Sequence, residues 1–208
     1  MQPYLTVAGA GVAEQIIERS RFIGYVHPAK TPEECESFFE EIRRRHRDAT
    51  HNVPAYVLGA EASIQWAGDD GEPRGTSGAP MAHMLVHEGI SDTAIMVTRY
   101  FGGVKLGTGG LVRAYTSTAK MAVNAAGLEE VSERLVIVVD SNYPIYERIA
   151  GNNSGLFTLG ETIYTDTVHV ELITKPEKRE EVFAVLQAMA ISPEDVSEEI
   201  RVARTLLK

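Results

Sequence analysis

The sequence predicts an α+β chain in two parts, and three observations carry that expectation. Strand-like and helix-like segments alternate through the first 130 residues. The following stretch reads strand, helix, strand, strand, helix, strand, which is the ferredoxin-like βαββαβ order. Between them lies a short polar run, EEVSER, which puts the boundary near Glu130 and gives domains 1–130 and 131–208. There is no low-complexity linker and no fixed-period repeat.

The elements follow in order. Residues 14–29 are rich in β-branched and aromatic residues and predict a strand. Thr31 is the expected N-cap of the next helix, with Pro32 in its first turn and Glu34 completing a capping box. Cys35, Phe38, Phe39 and Ile42 recur at helical spacing and mark the buried face. Arg43, Arg44, Arg45 and Arg47 crowd its C-terminal end, where cations match the helix dipole and an RNA contact is the rival use. Two short strands are expected at 51–59 and 62–66, then a long loop, AGDDGEPRGTSGAP, over 67–80. A helix is expected over 81–88, and a strand at 92–101, apolar enough to be covered on both faces. The spacing then predicts a helix from an N-cap at Thr108 to about Ala126, stopped by Gly127. In the second half, strands are expected at 135–141, 158–164, 167–174 and 196–204, with helices at 144–152 and 177–190.

Composition limits the function classes. The 208 residues carry a net charge of −9, split −4 before residue 131 and −5 after it. Neither half is a basic nucleic-acid domain by bulk charge, so anion binding must come from a local patch. No apolar run is long enough to span a membrane, and no signal peptide is read at the N-terminus. The single cysteine forms no internal disulfide and no Cys-rich metal motif. A cytoplasmic protein with no membrane partner and no cofactor is expected.

The segment RYFGGVKLGTGGLVRAY, Arg99–Tyr115, is the main candidate for chemistry. Five of the nine residues from Gly102 to Gly110 are glycine, between an apolar strand and a helix. That order suits an anion, because amide N–H groups and the helix dipole face a backbone stripped of side chains. Neither familiar nucleotide motif fits. Leu111-Val112 follow Gly110 where a Walker A loop needs Lys-Ser/Thr, and Val112 stands where a dinucleotide fingerprint needs its third glycine. Arg99, Gly102, Gly103, Lys105, Gly107, Gly109, Gly110 and Arg113 form the candidate anion or nucleic-acid site. Arg99 ends an apolar strand, so it needs a partner: Asp69, Asp70 or Glu72 of the preceding loop, or an external anion. The same loop's three carboxylates lack EF-hand spacing, and turn capping is their commoner use, so no metal is expected. Ser77 in GTSGA lacks the second glycine of a nucleophile elbow. His83 and His87 have zincin spacing but Met84 replaces the general-base glutamate. His51 begins a strand among polar neighbours and is the better candidate. Tyr56 and Trp66 are able to stack on bases, though strand aromatics are usually core.

These motifs together resemble the YigZ/IMPACT family. DDGEPRGTSGAP, VTRYFGGVKLGTGGLVRAY, ATHN (Ala49–Asn52) and SRF (Ser20–Phe22) occur in the family's order over residues 14–128, with a looser likeness beyond. Val53-Pro54 depart from the pattern. The resemblance implies an N-terminal domain like ribosomal protein S5 domain 2 and a C-terminal domain similar to the last domains of elongation factor G. It also implies a binding role near translation, with RNA or the ribosome and translation machinery as partner. The RWD domain of eukaryotic relatives is not read here, so their regulatory partner is not carried over. Matching the motifs residue by residue adds His51, Asp69, Asp70 and Glu72 to the candidate set. The rival reading is an enzyme that holds a small phosphorylated or anionic substrate at the Gly102–Gly110 turn and moves protons through His51 or an acid of the 69–72 loop.

Overall fold

Alternation of apolar residues builds the first sheet, and its register positions everything that follows. The computed structural model describes residues 2–152 and 154–207, so Met1 and Lys208, the outer ends of the two expected domains, lie outside the described residues. The chain divides into two compact units, Met1–Val131 with Arg204–Lys208, and Ser132–Ala203.

In the first unit, β2 (Gly11–Ile17), β3 (Ser20–Pro28), β4 (His51–Leu58), β5 (Ile64–Ala67) and β6 (Thr93–Tyr100) form an antiparallel sheet in the order β2-β3-β6-β4-β5. β6 is central and covered on both faces, as its continuous apolar run predicts. Ile95 and Val97 enter a core with α2 (Gly78–His87) and α3 (Gly107–Ala126), which contributes Met81, Leu85, Leu111, Tyr115 and Ala119. Ala94 and Met96 enter the opposite core with Cys35, Phe39 and Ile42 of α1 (Pro32–Arg45). Tyr56 and Trp66 stack on each other at 5.6 Å and lie against Phe39, so their rings belong to the α1 face. His83 and His87 sit exposed on α2.

The local signals at α1 hold. Thr31 Oγ1 accepts from the Glu34 N–H at 3.2 Å, while Glu34 reaches back to the Lys30 N–H at 2.6 Å. Several features differ from the sequence reading: among them, α2 starts at Gly78, and the strand expected at 135–141 starts at Leu128. The segment 14–29 is not one strand but the β2–β3 hairpin, turning through Glu18 (φ 46°) and Arg19 (φ 65°) with Ile17 paired to Ser20. That two-residue geometry normally calls for Asn-Gly or Asp-Gly, so the turn carries no sequence signal. α3 begins one residue before Thr108: its N-cap is Leu106, with no side-chain cap, so Thr108 is not the N-cap. A strand the sequence reading missed, β1 (Tyr4–Val7), pairs antiparallel with Leu128–Val131. It is held by Tyr4 Oη donating to Asp92 Oδ2 at 2.6 Å. Burial, and then that bond, push the Tyr4 phenol up to about 12.

The run EEVSER, where the boundary near Glu130 is expected, is strand. It lies inside β7 (Leu128–Ser141), where Val131 and Ser132 are buried and Glu129 pairs with Arg204 at 2.6 Å. In the second unit β7 pairs with β9 (Val168–Thr174), β9 pairs with β8 (Thr158–Tyr164), and β10 (Val196–Leu206) pairs with β7. With α4 (Tyr143–Ala150) and α5 (Arg179–Ala188) this is the ferredoxin-like unit, in strand order β10-β7-β9-β8. Its core joins Ile137, Val139, Val170 and Leu172 to Ile149, Val182 and Leu186. No described helix is long and apolar enough to cross a membrane.

Gly102 is glycine because the hairpin's backbone lies against it. A Cβ there would sit 2.0 Å from the Arg19 carbonyl oxygen. Gly102→Ala is therefore expected to cost about 3 kcal/mol or more, since neither backbone can yield cheaply. Urea unfolding of the two proteins measures it.

Candidate functional site

The sheet register assembles the site. Arg99 on β6 is paired with Phe22 on β3 and with His51 on β4, so the three side chains form one row on the face covered by α3. Ser20, two residues before Phe22, shares that face.

Arg99 has left water almost completely, with 5% of its side chain exposed. Its guanidinium donates to Glu72 Oε1 at 2.6 Å and to Ser20 Oγ at 3.3 Å. It lies 5.3 Å from the ring centroids of both Phe22 and Phe101, a cation held between two aromatic faces. Glu72 Oε1 also accepts from Tyr115 Oη at 2.8 Å. Burial and the Glu72 charge both push the Tyr115 phenol upward, so it serves as a neutral donor. Arg99, expected among the anion-binding cations, is thus occupied by an internal carboxylate. The reason is desolvation: a buried guanidinium requires a buried countercharge. Its Nε alone is buried without a hydrogen-bond partner.

The acidic loop divides its labour. Asp69 Oδ1 accepts from Ser77 Oγ (2.7 Å) and the Gly78 N–H (3.1 Å), and Oδ2 accepts from the Gly75 N–H (2.7 Å). It closes its own loop onto the start of α2, and Ser77 is spent on that bond. Asp70, at φ 44°, accepts the Asn52 N–H at 2.5 Å and offers its carbonyl oxygen to His51 Nδ1 at 2.7 Å. A carbonyl only accepts, so Nδ1 carries a proton and Nε2 is the nitrogen left to the cleft. Nε2 stands 3.7 Å from Glu72 Oε1. Asp69 and Asp70 are thereby scaffold, while Glu72 and His51 face the cleft.

That cleft, about 450 Å³, is lined by His51, Glu72, Arg99, Phe101, Lys105 and Gly107 among others. A separate groove of about 820 Å³ is lined by Lys105, Gly110, Arg113, Ser117 and Lys120. The structure therefore does not gather the three cations on one spot. Arg99 and Lys105 share the cleft, Lys105 and Arg113 share the groove, and Lys105 belongs to both. Lys120 is paired with Glu88 at 2.5 Å. Among the described residues Lys105 and Arg113 form no ion pair.

The glycines also differ in purpose. Gly103 and Gly107 adopt φ 85° and 70°, which glycine alone takes freely. A Cβ on Gly110 would come within 3.0 Å of the Leu106 side chain. Gly109 has neither reason: its φ is not positive, and an added Cβ would meet nothing within 4 Å. With no side-chain cap at Leu106, the first turn of α3 keeps open amides beside it.

Sequence reasoning missed Phe101, Ser20 and Tyr115 as participants. Only their spacing from Arg99 and Phe22 hinted at them, and that needed the strand register.

Residues 18–123 match the family model described as the Impact N-terminal domain. The chain is 40% identical over 172 residues to the IMPACT family member YvyE of Bacillus subtilis (strain 168), covering 82% of this chain and 79% of that one. It is 39% identical over 125 residues to YigZ of Escherichia coli (strain K12), covering 59% and 61%. A solved crystal structure described as a hypothetical protein covers 100% of this chain and 98% of its own, with a TM-score of 0.61 and 26% identity.

Two outcomes are expected. Arg99→Met strands the Glu72 carboxylate and is expected to cost about 3–5 kcal/mol. Adding Glu72→Gln is expected to recover part of that loss, as a double-mutant cycle in urea would reveal. For Asp69, burial alone would raise the pKa, but the donors from Gly75, Ser77 and Gly78 outweigh it and hold it below the ordinary 3.8. A depressed carboxyl stabilises the fold fully above its unfolded pKa and loses that contribution as pH falls through the folded value. Asp69→Asn is thus expected to be destabilised by about 2 kcal/mol at neutral pH. The gap to wild type is expected to narrow in melts taken below pH 3.8.

Proposed function

The chain belongs to the IMPACT family, and from that premise we propose that it binds RNA or a ribosomal surface and acts in the regulation of translation. One observation carries the reading. In a chain of net charge −9, Lys105 and Arg113 stand without ion-pair partners among the described residues, on two depressions that have Lys105 in common. Cations left unpaired in an acidic protein are available to an external anion, and a string of phosphates meets more than one of them. The first turn of α3 supports the reading: it offers uncapped amides, and Gly109 leaves space where an alanine would be accommodated by the fold. A cytoplasmic location accords with such a partner.

A second reading, an enzyme for a small phosphorylated or anionic substrate, is favoured by His51. Its Nδ1–H is fixed on a carbonyl and its Nε2 is presented to the cleft beside Glu72, as a proton-transfer group requires. A thermal-shift screen separates the two. A metabolite at 100 times its Kd stabilises by about 2.7 kcal/mol; such a hit, with no response to RNA, favours the enzyme.

RNA-binding titrations across salt test the first reading. Lys105→Ala and Arg113→Ala are each expected to weaken binding and to flatten the log–log salt slope by roughly 0.7 per lost phosphate contact. Gly109→Ala is expected to fold with equal stability or up to about 1 kcal/mol more, yet to bind RNA less tightly. Unchanged affinities and slopes in all three would overturn the reading.

A further inference from the structure

We propose that the 450 Å³ cleft receives one unpaired nucleotide, with its base stacked on Phe101, so that the ligand is single-stranded RNA and not a duplex. This rests on the RNA reading above and names the form of RNA it takes.

Phe101 is the reason. The residue is 46% exposed although it lines the cleft, and it is held in place from behind. Its N–H donates to Thr50 Oγ1 at 3.0 Å, and the Thr50 N–H donates to the Arg99 carbonyl oxygen at 2.9 Å. The Arg99 guanidinium lies against this ring at 5.3 Å and against buried Phe22 at the same distance. Phe22 in turn meets the edge of Tyr115 at 5.4 Å. A ring backed by a fixed cation, itself backed by a core ring, is a rigid platform. A half-exposed phenyl gains nothing from water, and a base covers it without demanding a particular sequence. The Arg99 charge is already balanced by Glu72, so it acts as backing and not as a phosphate contact.

The remaining lining fits a nucleotide. Lys105 provides the cation for its phosphate. His51, fixed through Nδ1, presents Nε2 as a polar contact for the nucleotide. The size lies at the small end of ligand pockets, roughly 300–1,000 Å³. It suits one splayed nucleotide, whereas bases in a duplex are stacked on their neighbours and closed to Phe101. The strand then continues past Lys105 into the groove towards Arg113, since Lys105 lines both.

The test uses the full chain, a labelled single-stranded oligouridylate and a duplex of equal length. The expected result is binding of the single strand at least tenfold tighter than the duplex. Phe101→Ala is expected to reduce single-strand affinity roughly tenfold or more, the loss that one stacked base gives. Phe101→Trp guards against a folding defect. It is expected to bind as wild type, and its emission, corrected for Trp66, is expected to be quenched by the single strand but not by the duplex. If the single strand binds but Phe101→Ala matches wild type, or if Phe101→Trp emission is unmoved, the inference falls. The RNA reading survives that result as long as Lys105→Ala still weakens binding. If duplex binds as tightly as single strand, the inference also falls. If neither RNA binds, both readings fall.

Discussion

The pairing of Glu72 with Arg99 is the interaction on which the first unit's functional face depends. Arg99 comes from the central strand, Glu72 from a long loop, Tyr115 from α3, and Ser20 from the start of β3. Four segments distant in sequence meet at one carboxylate and one guanidinium. A charge so deeply buried is tolerable only when every segment supplies its share of donors and acceptors. The site is therefore a condition of the fold as much as a product of it. It also explains why the acidic loop is ordered without any secondary structure: Asp69 satisfies its backbone and Glu72 anchors its middle in the core.

The pair also sorts the charged groups into two kinds. Glu72 and Arg99 neutralise each other, while Asp69 and Asp70 spend their oxygens on backbone N–H groups and the Ser77 hydroxyl. Lys105 and Arg113 have no such obligation among the described residues. In the proposed reading, a few uncommitted cations of an acidic protein meet the ligand, with the aromatic wall of the cleft adding contact that salt does not screen. The fixed tautomer of His51 belongs to the same economy. Its Nδ1 is tied to the scaffold, so only one nitrogen is free to respond to a ligand.

The sequence reveals much of this fold where local chemistry is strong. The capping residues of α1, the apolar run of β6, the Gly127 stop of α3 and the βαββαβ order of the second unit are all read directly from the residues. It is silent where tertiary contacts override local preference. Glu18 and Arg19 form a tight hairpin without turn residues because the backbone around Gly102 packs against them. EEVSER is polar yet forms strand, since Glu129 finds Arg204 across the sheet. The candidate site was half legible. Residue types pointed to the acidic loop, His51 and the glycine turn, but which acid meets Arg99 depends on strand register. Glycines that look alike in sequence separate only by what surrounds them.

The pairing of β7's first residues has a consequence for the time course of synthesis. Leu128–Val131 take β1 as one neighbour. The Leu128 carbonyl oxygen accepts from the Leu207 N–H at 2.9 Å, and Glu129 takes Arg204. At the ribosome's pace of about 5–20 residues per second, the whole ferredoxin-like unit must emerge before those contacts exist. For several seconds the nascent first unit carries an incomplete sheet edge, at which misassociation with another strand is most damaging. The segment from Arg204 is thus a latch that reaches the first unit only after the second has been made.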